Sequence, residues 1–159
     1  MTIALFRIDD RLIHGQVVES WIPHLQITET VVISEEVVTD EIRRTLMRIS
    51  LPEEIALKIM NAQAAAEYFK NTDNDKKRIL VLVPGPAEVL DLLRRGINIQ
   101  SVNVGGMHYS ASKMQIGRAI FLSEEDCKSF KDIALQGVRL EGKGVPSDKA
   151  LDIVSLLEN

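Results

Sequence analysis

Ile3-Ala4-Leu5-Phe6-Arg7-Ile8-Asp9-Asp10-Arg11-Leu12-Ile13-His14-Gly15-Gln16-Val17 holds a strand, its break and the entry to a helix in one short run. The apolar residues Ile3-Ala4-Leu5-Phe6 read as a buried strand, and the charged residues after Ile8 end it. Two arginines, two aspartates and a histidine gather at that break. A strand end has no structural need of such a cluster. An anion site does need it, because arginine forks and the free N–H groups of a helix start both attract negative charge. Pro23 is expected to end the first helix.

The rest of the chain repeats this alternation. Candidate strands lie at residues 3–8, 30–34, 56–60, 78–83, 101–104, 119–122 and 138–141. Continuous runs such as Ile79-Leu80-Val81-Leu82-Val83 suit strands covered on both faces. Helical spacing, at intervals of four, four and three, links Val38, Ile42, Leu46 and Ile49 into one apolar stripe. It also links Cys127, Phe130 and Ile133, with a capping signal at Ser123-Glu124-Glu125-Asp126 and Gly137 placed to end that helix. Pro146-Ser147-Asp148 precedes a last helix carrying Leu151, Val154 and Leu157. The polar residues 71–77 read as a loop. No apolar face stands out as a homo-oligomer interface. The expected fold is α/β: a single domain over residues 1–159, with a mainly parallel seven-stranded sheet flanked by helices on both faces.

Composition narrows the function classes. A chain of 159 residues, 45% hydrophobic and 26% charged, can build one ordinary core. A net charge of -4 argues against a general nucleic-acid grip. No stretch is long and apolar enough to span a bilayer, and the N-terminus lacks the pattern of a secretory signal. The lone Cys127 cannot form an intrachain disulfide, which fits a reducing cytoplasm. Its helical spacing makes it core-facing or partly buried, not a nucleophile.

In parallel sheets ligands bind beyond the carboxyl ends of the strands. Three loops should meet there: residues 9–15, Pro84-Gly85-Pro86, and Gly105-Gly106-Met107-His108. His14 titrates near neutrality and can act as a neutral nucleophile at a helix start. Arg11 could hold equatorial phosphoryl oxygens, with Asp9 or Asp10 holding Arg11 or orienting the imidazole. The alternative is a loop-capping histidine beside surface ion pairs. Asp9-Asp10 also invites a magnesium reading, opposed by the lack of a second acidic cluster. Gly105 and Gly106 either let the backbone approach a ligand or make a tight turn with φ > 0. No G-x-G-x-x-G or P-loop pattern accompanies them. His108 reads as a rim residue, His24 as surface and Trp21 as core.

The segment from Arg7 to Val17 resembles the IIB component of the mannose/fructose/sorbose family of bacterial phosphoenolpyruvate-dependent sugar phosphotransferase systems. Asn103-Val104-Gly105-Gly106-Met107 is similar to that family's second signature. Lys113, Ser123-Glu124-Glu125-Asp126 and Gly137-Val138 fall where its pattern continues. The resemblance implies that His14 carries a phosphoryl group on Nδ1, accepted from a phosphohistidine on a IIA protein. The group then passes to a sugar in the IIC–IID membrane permease. The chain would work in the cytoplasm, peripherally attached to that permease, without cofactor or metal.

The resemblance implies that Arg11 steadies the transferring group. Arg7, Asp9, Asp10, Ile13, Gly15, Gln16, Gly105 and Gly106 are then phosphoryl-binding or supporting. Partner contacts should be transient, with Arg7, Arg11 and nearby lysines supplying a basic surface. The chain begins and ends at the boundaries of that component, so no IIA segment is expected within it.

Some residues depart from the family pattern. Pro84-Gly85-Pro86 lacks the threonine common in that loop, and Ser112-Lys113 replaces a common Gly-Lys. Met107-His108-Tyr109 looks like the N-acetylgalactosamine/galactosamine branch. Asp40-Glu41-Ile42-Arg43-Arg44-Thr45-Leu46 looks like the sorbose branch. Mannose, fructose, sorbose and amino sugars all stay open. A magnesium-dependent phosphatase and a non-catalytic regulatory module are the competing classes.

Overall fold

The computed structural model describes residues 2–73 and 76–158. Seven strands form one sheet in the order β3-β2-β4-β1-β5-β8-β9. They are β1 (Thr2–Ile8), β2 (Glu29–Ile33), β3 (Ala56–Met60), β4 (Arg78–Val83), β5 (Ser101–Val104), β8 (Arg139–Gly142) and β9 (Leu151–Asp152). All neighbours pair in parallel except β9, which runs antiparallel to β8. A separate antiparallel pair joins β6 (Met114–Ile116) to β7 (Ile120–Leu122).

Alternation along the strands splits the core. Ile79, Val81 and Val83 of β4 face one side, under α4 (Ala62–Asn71), α5 (Pro86–Arg94), α6 (Glu124–Leu135) and α7 (Ile153–Leu157). Leu80 and Leu82 face the other, with Val17, Trp21 and Ile22 of the first helical segment, Val37 of α2 (Glu35–Val38) and Met47 of α3 (Glu41–Ser50). Helices on both faces explain why these strands read as continuous apolar runs. The capping box of Ser123 and Asp126 opens α6, and Gly137, at φ +86, follows its end.

Several expectations need correction. The seventh strand of the main sheet is β9. The run at residues 119–122 instead gives β7 of the side hairpin, and Leu151 belongs to β9 and not to the last helix. Asp152 caps α7, while Asp148 accepts from Gly144 and Val145.

Pro23 does not end the first helix. A π-helical turn, Val17–Trp21, runs into α1 (Ile22–Leu25), which contains Pro23 and ends at Gln26 in the left-handed conformation. Proline has no N–H, and in an α-turn its ring strikes the carbonyl four residues back. The wider turn, in which Ile22 N–H donates to Val17, relieves that clash.

The stripe of Ile42, Leu46 and Ile49 faces solvent, at 74, 58 and 74% exposure. Asp40 accepts from Arg43 N–H and starts a new helix, so Val38 and Ile42 do not share one helical phase. Met47 on the opposite side is buried, and Arg48 pins that side by donating to Ile55 O and Pro52 O. An apolar face therefore does stand out. Ile42→Ser combined with Leu46→Ser should shift stability by no more than about 0.5 kcal/mol per site. Met47→Ala should cost about 2–3 kcal/mol. Urea unfolding of the three proteins checks both.

The loop at residues 71–77 begins after Asn71, which closes α4; Asn74 and Asp75 lie outside the described residues. Among the described residues no helix is long and apolar enough to cross a membrane.

Candidate functional site

The chain leaves β1 toward β2 on one side of the sheet and leaves β5 toward β8 on the other. Their carboxyl ends diverge, which opens a crevice between two neighbouring strands. The loops around it are tied together. Asp9 N–H donates to Val83 O at 2.9 Å, Asp10 N–H to Gly106 O at 3.0 Å, and Gly105 N–H to Ile8 O at 2.8 Å.

Asp9 is the hub. It is fully buried, as is Arg7. Its Oδ2 accepts from Arg7 Nη2 at 3.0 Å and from Arg11 Nη2 at 2.9 Å; its Oδ1 accepts from Arg11 Nε at 3.0 Å and Arg11 N at 3.2 Å. Parallel register places Arg7 beside Asn103. Arg7 Nη1 donates to Asn103 Oδ1 and to Lys143 O, and Nη2 also donates to Gly144 O. The Trp21 ring lies 5.4 Å from the Arg7 guanidinium, and Trp21 Nε1 donates to the same Gly144 O.

Burial pushes the Arg7 guanidinium below its ordinary pKa, against the pull of Asp9. The hydrogen bond to Asp9 holds Arg11 above its own. Both stay charged. Two cations against one carboxylate leave the hub net positive, and Arg11, with 47% of its side chain exposed, carries that excess to the surface.

His14 sits above this hub. Leu12 is fully buried in the left-handed conformation, at φ 57. That costs a bulky residue roughly 1–2 kcal/mol and is held by its burial. The turn brings Leu12 O to 3.0 Å from His14 Nδ1. His14 Nε2 is buried without a hydrogen-bond partner, 3.7 Å from Asp9 Oδ2. The side chain keeps 16% exposure.

The other candidates divide by role. Asp10 points away from Asp9, and its Oδ2 accepts from His108 N–H at 2.6 Å and from His108 Nδ1 at 2.5 Å, clasping two loops. Ile13 is buried in the core under α1, Gly15 is exposed, and Gln16 Oε1 accepts from Arg11 Nη2 at 3.4 Å. Gly105 and Gly106 lack positive φ, so the tight-turn explanation fails. They are glycines because side chains crowd them. A Cβ on Gly105 would lie 2.0 Å from Arg7 Nη2, and one on Gly106 would lie 3.0 Å from Arg11 Nη2. The magnesium reading loses its ligands to these contacts: Asp9 is spent on Arg7 and Arg11, and Asp10 on His108.

The basic surface expected of Arg7 is also corrected, since Arg7 is enclosed. The loop after β8 was missed as a contributor. Gly142-Lys143-Gly144 at the end of a strand in the same sheet was the available signal.

The family profile of the PTS system sorbose subfamily IIB component matches residues 3–159. The chain belongs to that family. The sorbose-specific EIIB component of Lacticaseibacillus casei is 33% identical over 99% of this chain and 96% of its own length. The mannose-specific EIIAB component of Escherichia coli is 34% identical over 99% of this chain but only 49% of its own length. The crystal structure of the IIBSor domain of the Klebsiella pneumoniae sorbose permease superposes with a TM-score of 0.93 at 32% identity, covering 99% of this chain and 97% of that one. This IIB component thus shares the architecture of that domain from β1 to α7.

Proposed function

We propose that this IIB component takes a phosphoryl group from a phosphohistidine on a IIA protein onto Nδ1 of His14. It then gives the group to a sugar held by a IIC–IID permease. The supporting observation is the half-open imidazole of His14 standing over a buried Asp9, with the exposed guanidinium of Arg11 beside it. The lone pair of Nδ1 attacks phosphorus as the donor's P–N bond breaks, and the donor imidazole keeps that bond's electrons. Such transfer needs positioning and charge neutralisation more than acid–base work.

In the resting geometry Nδ1 faces a carbonyl, so it carries the proton. Reaction therefore needs the ring to turn off Leu12 O and the proton to move to Nε2, the nitrogen 3.7 Å from the Asp9 carboxylate, whose charge favours that tautomer. Arg11 spends Nε and Nη2 on Asp9 and Gln16, and its Nη1 is free among the described residues to meet a phosphoryl oxygen. The N–H groups of Ile13, Gly15 and the helix start supply further donors. Asp10 and the Gly105-Gly106 backbone hold the frame.

The IIA partner is consistent with the name of the E. coli relative, of which this chain matches about half. Relatives named for sorbose and mannose are equally similar, so the sugar is assigned only as a hexose or amino sugar. The site belongs in the cytoplasm, against the inner face of the permease.

The test is incubation with labelled phosphoenolpyruvate, enzyme I, HPr and a matching IIA protein, followed by peptide mapping. Acid-labile, base-stable label on the His14 peptide is expected; label elsewhere, or none, refutes the reading. In the same assay Arg11→Lys should slow transfer by about ten- to hundredfold, because a point charge cannot replace the fork. Its fold should persist, since Asp9 keeps Arg7.

A further inference from the structure

A cavity of about 600 Å³ opens beside the site, floored by the backbone of Gly105, Gly142 and Gly144 and bordered by Gln16. Arg118, Lys143 and Lys149 stand around it. Arg118 and Lys149 are exposed and have no ion pair or hydrogen bond among the described residues. Lys143 Nζ reaches only Pro146 O, at 3.4 Å. The one acid in the lining, Asp148, has its Oδ2 committed to the N–H groups of Gly144 and Val145. Three cations face one satisfied carboxylate, on a chain whose net charge is -4. Uniform scatter of charge does not give such a local excess, which creates a positive potential at the rim of the phosphoryl site.

We propose that this cleft docks an acidic patch of the phosphoryl-donor protein. The inference rests on the reading of His14 as the phosphoryl acceptor and adds where the donor is gripped. Two features favour a protein surface over a small anion. Arg118 and Lys149 are long, exposed and held by no other side chain, which suits steering and transient contact but not a preorganised pocket. The cleft is also fixed relative to His14. Arg7 holds Lys143 O and Gly144 O with the same guanidinium that holds Asp9, so a donor seated here presents its phosphohistidine at a set distance.

The experiment compares the parent with Arg118→Glu/Lys149→Glu, using two donors. One is the phosphorylated IIA protein; the other is phosphoramidate, a small donor that needs no docking. From phosphorylated IIA at low salt, the second-order rate constant should fall by about ten- to hundredfold, with the loss shrinking at high salt. The rate at saturating donor and the labelling by phosphoramidate should stay within about twofold. Arg118→Lys/Lys149→Arg should restore the parent rate. An unchanged rate constant overturns the docking role. Equal slowing with phosphoramidate also overturns it, since the change would then act on the site itself or on a bound small anion. A parent protein labelled by neither donor sinks the phosphocarrier reading together with this one.

Discussion

His14→Ala is expected to take up no phosphoryl group from phosphorylated IIA while remaining folded. The imidazole is the only nucleophilic ring over the Asp9 hub among the described residues. Nearby His108 is committed through Nδ1 to Asp10. Removal of the ring frees Leu12 O, and it leaves the Asp9 contacts with Arg7 and Arg11 in place. Stability should therefore change by no more than about 1 kcal/mol. Acid-labile label measured after transfer, beside a urea unfolding curve, separates loss of chemistry from loss of fold. Label at the parent level in the variant would move the acceptor to another residue. His14→Gln, which keeps polar reach without a nucleophile that holds phosphate, should behave the same way.

Gly105→Ala should be the most damaging single methyl addition in the chain. The new Cβ would stand 2.0 Å from Arg7 Nη2 and 2.2 Å from its Cζ. Arg7 cannot step aside, because Asp9, Asn103, Lys143 O, Gly144 O and the Trp21 ring enclose it. Displacing it strips a buried carboxylate of one of its two cations and strands several acceptors. Breaking a buried pair in this way costs about 3–5 kcal/mol. Gly15→Ala is the matched control: nothing lies within 4 Å of its added Cβ, and it stands at the start of a helix. It should be neutral or slightly stabilising, by up to about 1 kcal/mol. Urea midpoints that rank the two substitutions the other way would mean that Arg7 is not rigidly held.

Much of the fold was legible because burial on both faces writes itself as unbroken apolar strands. Residues 78–83 show this directly; residues 56–60 at the sheet edge and 101–104, interrupted by Asn103, are also strands as read. Periodicity failed on α3. The spacing of Ile42, Leu46 and Ile49 is helical, but it does not say which side of the helix meets the sheet, and here Met47 does. Residues 119–122 and Leu151 failed for a related reason. A short apolar run fits a side hairpin, a helix face or an edge strand equally well, and tertiary pairing chooses among them. In the site, the charged cluster from Arg7 to His14 could be read directly. Arg7 could not be placed inside the core from sequence, because the acceptors that make its burial tolerable are Asn103 and the Lys143–Gly144 carbonyls, far along the chain. The Gly105-Gly106 pair was legible as special, but the reason was visible only once the arginines were in position.

The reach of Arg7 also sets an order of events during synthesis. Its carbonyl acceptors lie 136 and 137 residues downstream. A chain still emerging from the ribosome can pair β1 with β4, yet its guanidinium stays partly unsatisfied until β8 has left the exit tunnel. The hub under His14 is thus completed only once the loop that follows β8 has been made. A chain cut before that loop leaves the Arg7 guanidinium without its two carbonyl acceptors, and the carboxylate beneath His14 with a loosely held partner.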